Sequence, residues 1–205
     1  MRGVYALFLP LTNNFMATPK PAKRRTAPTK TAAGIVGIDP SLTGTGLFFT
    51  SDGMTHKISP PKDMASNPIQ RLSWLRTSLH HELVRHQTTK LAVIEGYSMG
   101  SKFQREALGE WGGVLRLVLL NLGFQKIAVV APTTLKKFVI GHAKKGQSGK
   151  DVMLLKTFQR WGVEFSDHDL SDAFCLAKAG EVLFNGEGTK TDLLNLKSAK
   201  VFDLR

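Results

Sequence analysis

The sequence predicts an α/β fold: a mixed five-stranded sheet flanked by helices. Two observations lead there. Three short β-rich runs lie close together between residues 34 and 58, joined by brief turns, as in an antiparallel meander. After residue 68 the pattern alternates between helical and strand periods, which implies parallel strands with helices covering the sheet.

Each element has its own signature. Gly34 to Asp39 is short, β-branched and strand-like, and Pro40-Ser41-Leu42-Thr43 turns the chain into a second strand, Gly44 to Thr50. Ser51-Asp52-Gly53 is a turn signal before a third strand, Met54 to Ile58. Ile69, Leu72, Leu75, Leu79 and Leu83 recur at helical spacing, so Pro68 to His86 reads as a helix. Leu91 to Glu95 is an apolar strand ending in a carboxylate. A long helix, Glu106 to Leu122, stops at Gly123, a residue suited to the left-handed turn after a helix. Lys126 to Val130 is the fifth strand, and Pro132 opens a helix to Ile140, since proline suits a first helical turn. Val152 to Trp161 and Asp169 to Phe184 are the last helices read; residues 186–205 form a tail without an assigned element.

Composition bounds the function. The chain has 205 residues, enough for one substantial core, and a formal net charge of +12. That excess favours a polyanionic partner, nucleic acid before an anionic membrane surface. No apolar run has the roughly 18–20 residues of a membrane-spanning helix. The single cysteine, Cys175, rules out an intrachain disulfide framework and fits a reducing compartment, the cytoplasm.

Residues 1–33 carry Arg2, Lys20, Lys23, Arg24, Arg25 and Lys30, four prolines and no acid. Such a segment buries little apolar surface and is expected to be a disordered basic arm. It suits DNA phosphates; an organellar transit peptide, or an upstream extension with Met16 as the true start, stay open. Removing those six basic residues leaves 22 Lys and Arg against 16 Asp and Glu. The remaining excess is concentrated. From Trp111 to Lys150 no acid occurs, while Arg116, Lys126, Lys136, Lys137, Lys144, Lys145 and Lys150 all do. The stretch from Gly141 to Lys150 is a lysine- and glycine-rich loop suited to phosphate contact, with a solvated loop as the plain alternative. Its spacing does not match a nucleotide-binding P-loop.

Four carboxylates stand at structural edges. Asp39 ends the first strand, Glu95 the fourth, and Asp169 and Asp172 open the last long helix, three residues apart and on one face. Sites in open α/β sheets form just beyond strand ends, so the four acids can converge. Clustered carboxylates repel and call for a cation, and magnesium takes oxygen ligands and phosphate oxygens together. Each acid also has an ordinary reading. Asp39 can form a turn, Glu95 can lie on the surface, and Asp169 and Asp172 can cap a helix and favour its dipole. His168 sits off the shared face and reads as a plain polar residue.

These residues resemble the RuvC family of Holliday-junction resolvases, within the ribonuclease H-like superfamily. Gly37-Ile38-Asp39-Pro40-Ser41-Leu42-Thr43-Gly44-Thr45-Gly46 is similar to the family's first-strand motif, and Ile94-Glu95-Gly96-Tyr97 to its second acidic segment. Ala131 to Gly141 resembles the helix before its DNA-binding loop, and Asp169-Leu170-Ser171-Asp172-Ala173-Phe174-Cys175-Leu176-Ala177 its final acidic helix. The resemblance spans about residues 34–180.

It implies a ribonuclease H-like nuclease domain over 34–185 that acts as a homodimer and makes paired symmetric nicks in four-way junctions. It implies Mg2+, two ions per site, with Mn2+ as substitute. Asp39, Glu95, Asp169 and Asp172 would be the metal ligands, and Lys136 and Lys150 basic residues near the scissile phosphate. Tyr97, Lys102, Phe103, Arg105, Lys136, Lys137, Lys144, Lys145 and Lys150 would contact DNA. Two departures mark a phage-type or divergent member: Ser41 stands where glycine is usual, and the loop after Glu95 lacks the usual aromatic placement. Broader cutting of flaps and forks is the alternative that follows. Gly109, Gly112 and Gly113 allow close helix approach, in a dimer seam or within one subunit's core.

Three other readings compete. An actin-like ATPase or sugar kinase also has a Gly-Ile-Asp hairpin, but such proteins generally need two of these domains. A non-catalytic DNA-binding module would place acids beside phosphate without benefit. A ribonuclease H-like nuclease acting on RNA–DNA hybrids shares the same residues.

Overall fold

The structure, a computed structural model, describes residues 33–96, 105–141 and 149–204, with the side chain of Lys150 outside that set. The strands are Gly34–Asp39 (β1), Thr45–Phe49 (β2), Thr55–Ile58 (β3), Thr89–Glu95 (β4), Lys126–Val130 (β5) and Lys200–Asp203 (β6). The helices are Pro68–Arg85 (α1), Arg105–Asn121 (α2), Pro132–Ile140 (α3), Lys150–Trp161 (α4), His168–Asn185 (α5) and Lys190–Asn195 (α6).

The strands make one mixed sheet in the order β3-β2-β1-β4-β5-β6. β1, β2 and β3 pair antiparallel, as the short turns require, while β1-β4 and β4-β5 are parallel, joined through helices. The expected fold class holds, with a correction: the sheet has six strands, not five. Residues 186–205, read as an unassigned tail, contain α6 and β6, and β6 pairs antiparallel with β5. β6 is exposed at all four positions, so burial leaves no alternating pattern in its sequence. The free edge of β5 decides its place.

Strand alternation divides the core into two faces. Val36, Ile38, Leu47 and Phe49 point to one side, where Leu75, Leu79 and Leu83 of α1 and Trp111, Leu115 and Leu119 of α2 cover them. Ile35, Phe48 and Val93 point to the other, against Ala173, Ala177 and Val182 of α5, with α3 and α4 packed outside. The α1 stripe is shorter than its periodicity suggested: Leu75, Leu79 and Leu83 are buried, but Ile69 is 79% exposed. α1 begins with Asn67, whose side chain accepts from the Gln70 N–H, and Pro68 in its first turn. Among the described residues, no helix is long and apolar enough to cross a membrane.

α5 lies unusually close to the sheet. A Cβ on Gly37 would sit 1.9 Å from the Ala173 carbonyl oxygen, and one on Gly46 would sit 2.2 Å from that of Asp169. Both contacts are with helix backbone, which cannot give way as a side chain tip can. The two glycines therefore set how deep α5 settles, and with it the depth of the acids at its N-terminus.

Candidate active site

The parallel register pairs Ile38 of β1 with Ile94 of β4, so Asp39 and Glu95 lie side by side at the carboxyl ends of adjacent strands. Ile38 and Ile94 face α1 and α2. One step of alternation turns Asp39 and Glu95 to the opposite face, under α5. Asp172, in the first turns of α5, comes down beside them. Asp39 is only 9% exposed.

Three carboxyl groups in so small a space leave an electrostatic mark. Glu95 is pushed up to about 9, first by burial, then by the charges of Asp39 and Asp172 and by a hydrogen bond to the Asp39 carboxylate. Lys136 of α3 opposes that rise. It therefore lies near enough to act on the acids while its side chain stays in solvent. All the donors are carboxylate oxygens, the set a hard divalent cation takes. A cation there would offset the burial and the repulsion that raise Glu95.

The fourth acid is held differently. Lys57 of β3 places its Nζ 2.7 Å from Asp169 Oδ2 and 2.6 Å from Asp167 Oδ2. Asp167 caps α5: its Oδ1 accepts from the N–H groups of Asp169 and Leu170. The cap is thus Asp167, and the Asp169 carboxylate is paired with Lys57. Lys57 and these hydrogen bonds lower the Asp167 carboxyl, against an upward push from burial.

The turn after Asp39 is pinned from both sides. Thr45 donates its hydroxyl to the Ser41 carbonyl at 2.9 Å and accepts from the Trp111 indole N–H at 3.1 Å. A fully buried tryptophan on α2 thereby holds the β1–β2 turn beside the acids.

Of the other expected site residues, Lys136 and Lys137 line a groove with Thr133, Gly141 and Lys197 between α3 and the segment after α6. Arg105 opens α2 and is exposed. Tyr97, Lys102, Phe103, Lys144 and Lys145 lie outside the described residues, as does the side chain of Lys150. The N-terminal arm also lies outside them. Cys175 is buried, and burial pushes its thiol up to about 12, so it is an inert core residue.

Sequence reasoning missed Lys57, Asp167 and Lys197. Lys57 and Asp167 are 110 residues apart, and no local pattern announces their pairing. It missed a further group entirely. His56, Glu82 and His86 each offer a ligand atom, and these lie within 4.8 Å of one another.

No family model and no curated protein matches the sequence. Solved structures do match. The structure of Thermus thermophilus RuvC superposes with a TM-score of 0.58 at 15% identity, covering 75% of this chain and 96% of that one. That of T. thermophilus RuvC in complex with Holliday junction substrate gives 0.58 at 13%, with the same coverage. At such identities the likeness is one of fold, and it agrees with the ribonuclease H-like α/β architecture expected from the motifs.

Proposed function

We propose that the protein is a metal-dependent endonuclease that resolves four-way DNA junctions by paired symmetric nicks, leaving 5′-phosphate and 3′-hydroxyl ends. The observation that carries this reading is the convergence of Asp39, Glu95 and Asp172 beneath the start of α5, with Glu95 raised to about 9. Sites with strongly displaced acids and a nearby cation are typical of catalysis. The similarity to RuvC, solved with its junction substrate, supports DNA as the substrate.

On this reading Asp39, Glu95, Asp172 and Asp169 hold the divalent ions, Mg2+ or Mn2+. A bound pair of ions would activate water and neutralise the leaving oxygen. Asp39 and Glu95 fix the ligand positions from rigid strand ends, and Asp172 closes the site from α5. Lys136 meets the scissile phosphate, with Lys150 as its partner. Lys137 and Lys197 extend the positive surface along the groove, where phosphate contact positions DNA without reading sequence. Tyr97, Lys102, Phe103, Arg105, Lys144 and Lys145 complete the DNA contacts.

A homodimer supplies the second site. Its seam is the α2 face that carries Gly113, Leu117 and Leu120 beside Phe202 of β6, where the three large side chains are 46–58% exposed. On this reading the protein works in the cytoplasm of a bacterial or phage-infected cell.

The test is a panel of labelled four-way junction, flap, fork, RNA–DNA hybrid and linear duplex, with Mg2+ or with EDTA. Paired Mg2+-dependent nicks confined to the junction are expected. Cutting of all branched forms would replace junction specificity with a broader nuclease. Asp39→Asn and Glu95→Gln should abolish cutting and keep binding; full activity in either would overturn the assigned site.

A further inference from the structure

β3 presents two neighbouring residues to opposite faces of the sheet. Lys57, in register with Gly46, points to Asp167 and Asp169 at the start of α5, and His56, in register with Leu47, points to α1. On the α1 side His56 meets Glu82 and His86, which are four residues apart and share one helix face. The three ligand atoms lie within 4.8 Å of one another, spacing that a single ion can bridge.

The surroundings are built rather than accidental. The His86 ring stacks on Phe49, with centroids 3.7 Å apart and planes at 13°. Its Nδ1 lies 2.9 Å from Asp52 Oδ2 in the β2–β3 turn. That ion-pair distance sets a carboxylate beside the ring and helps to orient it, as partners of metal-binding histidines do. His56 Nε2 and Glu82 Oε2 are buried without a hydrogen-bond partner. Glu82 Oε2 does lie 3.2 Å from His56 Nδ1 and 3.7 Å from Arg85 Nη1, but as ion-pair distances only.

We propose that His56, Glu82 and His86 form a transition-metal site of the zinc class, separate from the acid cluster. Two imidazoles and one carboxylate suit Zn2+ in a tetrahedral arrangement with an open fourth position, whereas Mg2+ prefers oxygen alone. The ion staples the edge strand β3 to the end of α1. The staple steadies the strand that presents Lys57 to Asp167 and Asp169. This inference does not depend on the nuclease reading.

The experiment uses the full chain, stripped with chelator and titrated with Zn2+ and, separately, Co2+. With Mg2+ in excess to occupy the acid cluster, one equivalent should bind in wild type and in Glu95→Gln. Zn2+ at about 100 times its Kd should raise Tm by about 5–10 °C. Co2+ should give the visible absorption of a tetrahedral site. His86→Gln and the near-isosteric Glu82→Gln should lose both signals while keeping their chelator-treated circular dichroism. No uptake by wild type would overturn the proposal. So would uptake that survives both substitutions, or uptake that disappears in Glu95→Gln.

Discussion

Among the described acids, Glu95 is held furthest from its ordinary value. It sits at a strand end with Asp39 beside it and Asp172 above, and only Lys136 works the other way. Its folded value of about 9 stands above the ordinary 4.5, so between those values the folded chain keeps a proton that the unfolded chain has lost. The folded state binds more protons, and stability must fall as pH rises through that window. Denaturant melts in EDTA should therefore show declining stability from pH 5 to 9, by at most about 1.4 kcal/mol per unit. Glu95→Gln should flatten the decline, and Mg2+ should lessen it in wild type by taking the proton's place. A slope untouched by Glu95→Gln would assign the titration to another group.

At the scale of elements, the site depends on how closely α5 approaches β1 and β2. Gly46 lies under the Asp169 carbonyl and Gly37 under that of Ala173, and neither space admits a methyl group. Gly46→Ala should lift the start of α5, destabilise the fold by about 1–3 kcal/mol and cut activity more than tenfold. Chemical denaturation and initial rates on the same sample would separate the two effects. A fully active, equally stable Gly46→Ala protein would mean that the acids tolerate a displaced helix. α6 is anchored independently of this contact. Thr189 and Asp192 form a capping box, and Arg160 of α4 reaches Asp192 at 2.5 Å, its guanidinium lying over Phe138 and Trp161. This bridge seats the segment that brings Lys197 to the basic groove.

For the whole molecule, charge and apolar surface make separate demands. The net charge of +12 would draw the chain to a polyanion such as DNA over distances set by salt. Lys144→Ala together with Lys145→Ala should weaken junction binding and reduce the slope of log K against log salt by up to about two. An unchanged slope would remove that loop from the interface. The apolar α2–β6 face makes the other demand. Leu117→Asp should convert a dimer of twice 22.5 kDa into a monomer by light scattering, and paired nicking should become single nicking. A wild-type monomer in the presence of junction would remove the dimer from the mechanism.

The sequence by itself determined the architecture from β1 to α5, because each of those elements buries a face and burial writes a period into the residues. Short apolar, β-rich runs between turn signals marked β1 and β2, the helical spacing of Leu75, Leu79 and Leu83 marked α1, and Gly123 and Pro132 marked a helix end and start. It also singled out Asp39, Glu95, Asp169 and Asp172, since a carboxylate that ends an apolar strand or opens a helix stands out against its neighbours. Tertiary structure alone decided the rest. β6 has no buried face, and only the open edge of β5 could place it. The division of labour at α5, with Asp167 as cap and Asp169 held by Lys57, came from a contact across 110 residues. His56, Glu82 and His86 came together in the same way, one from a strand and two from a helix end. Local periodicity records which way a residue faces relative to its own element; which distant residue it meets there is set by how the elements pack.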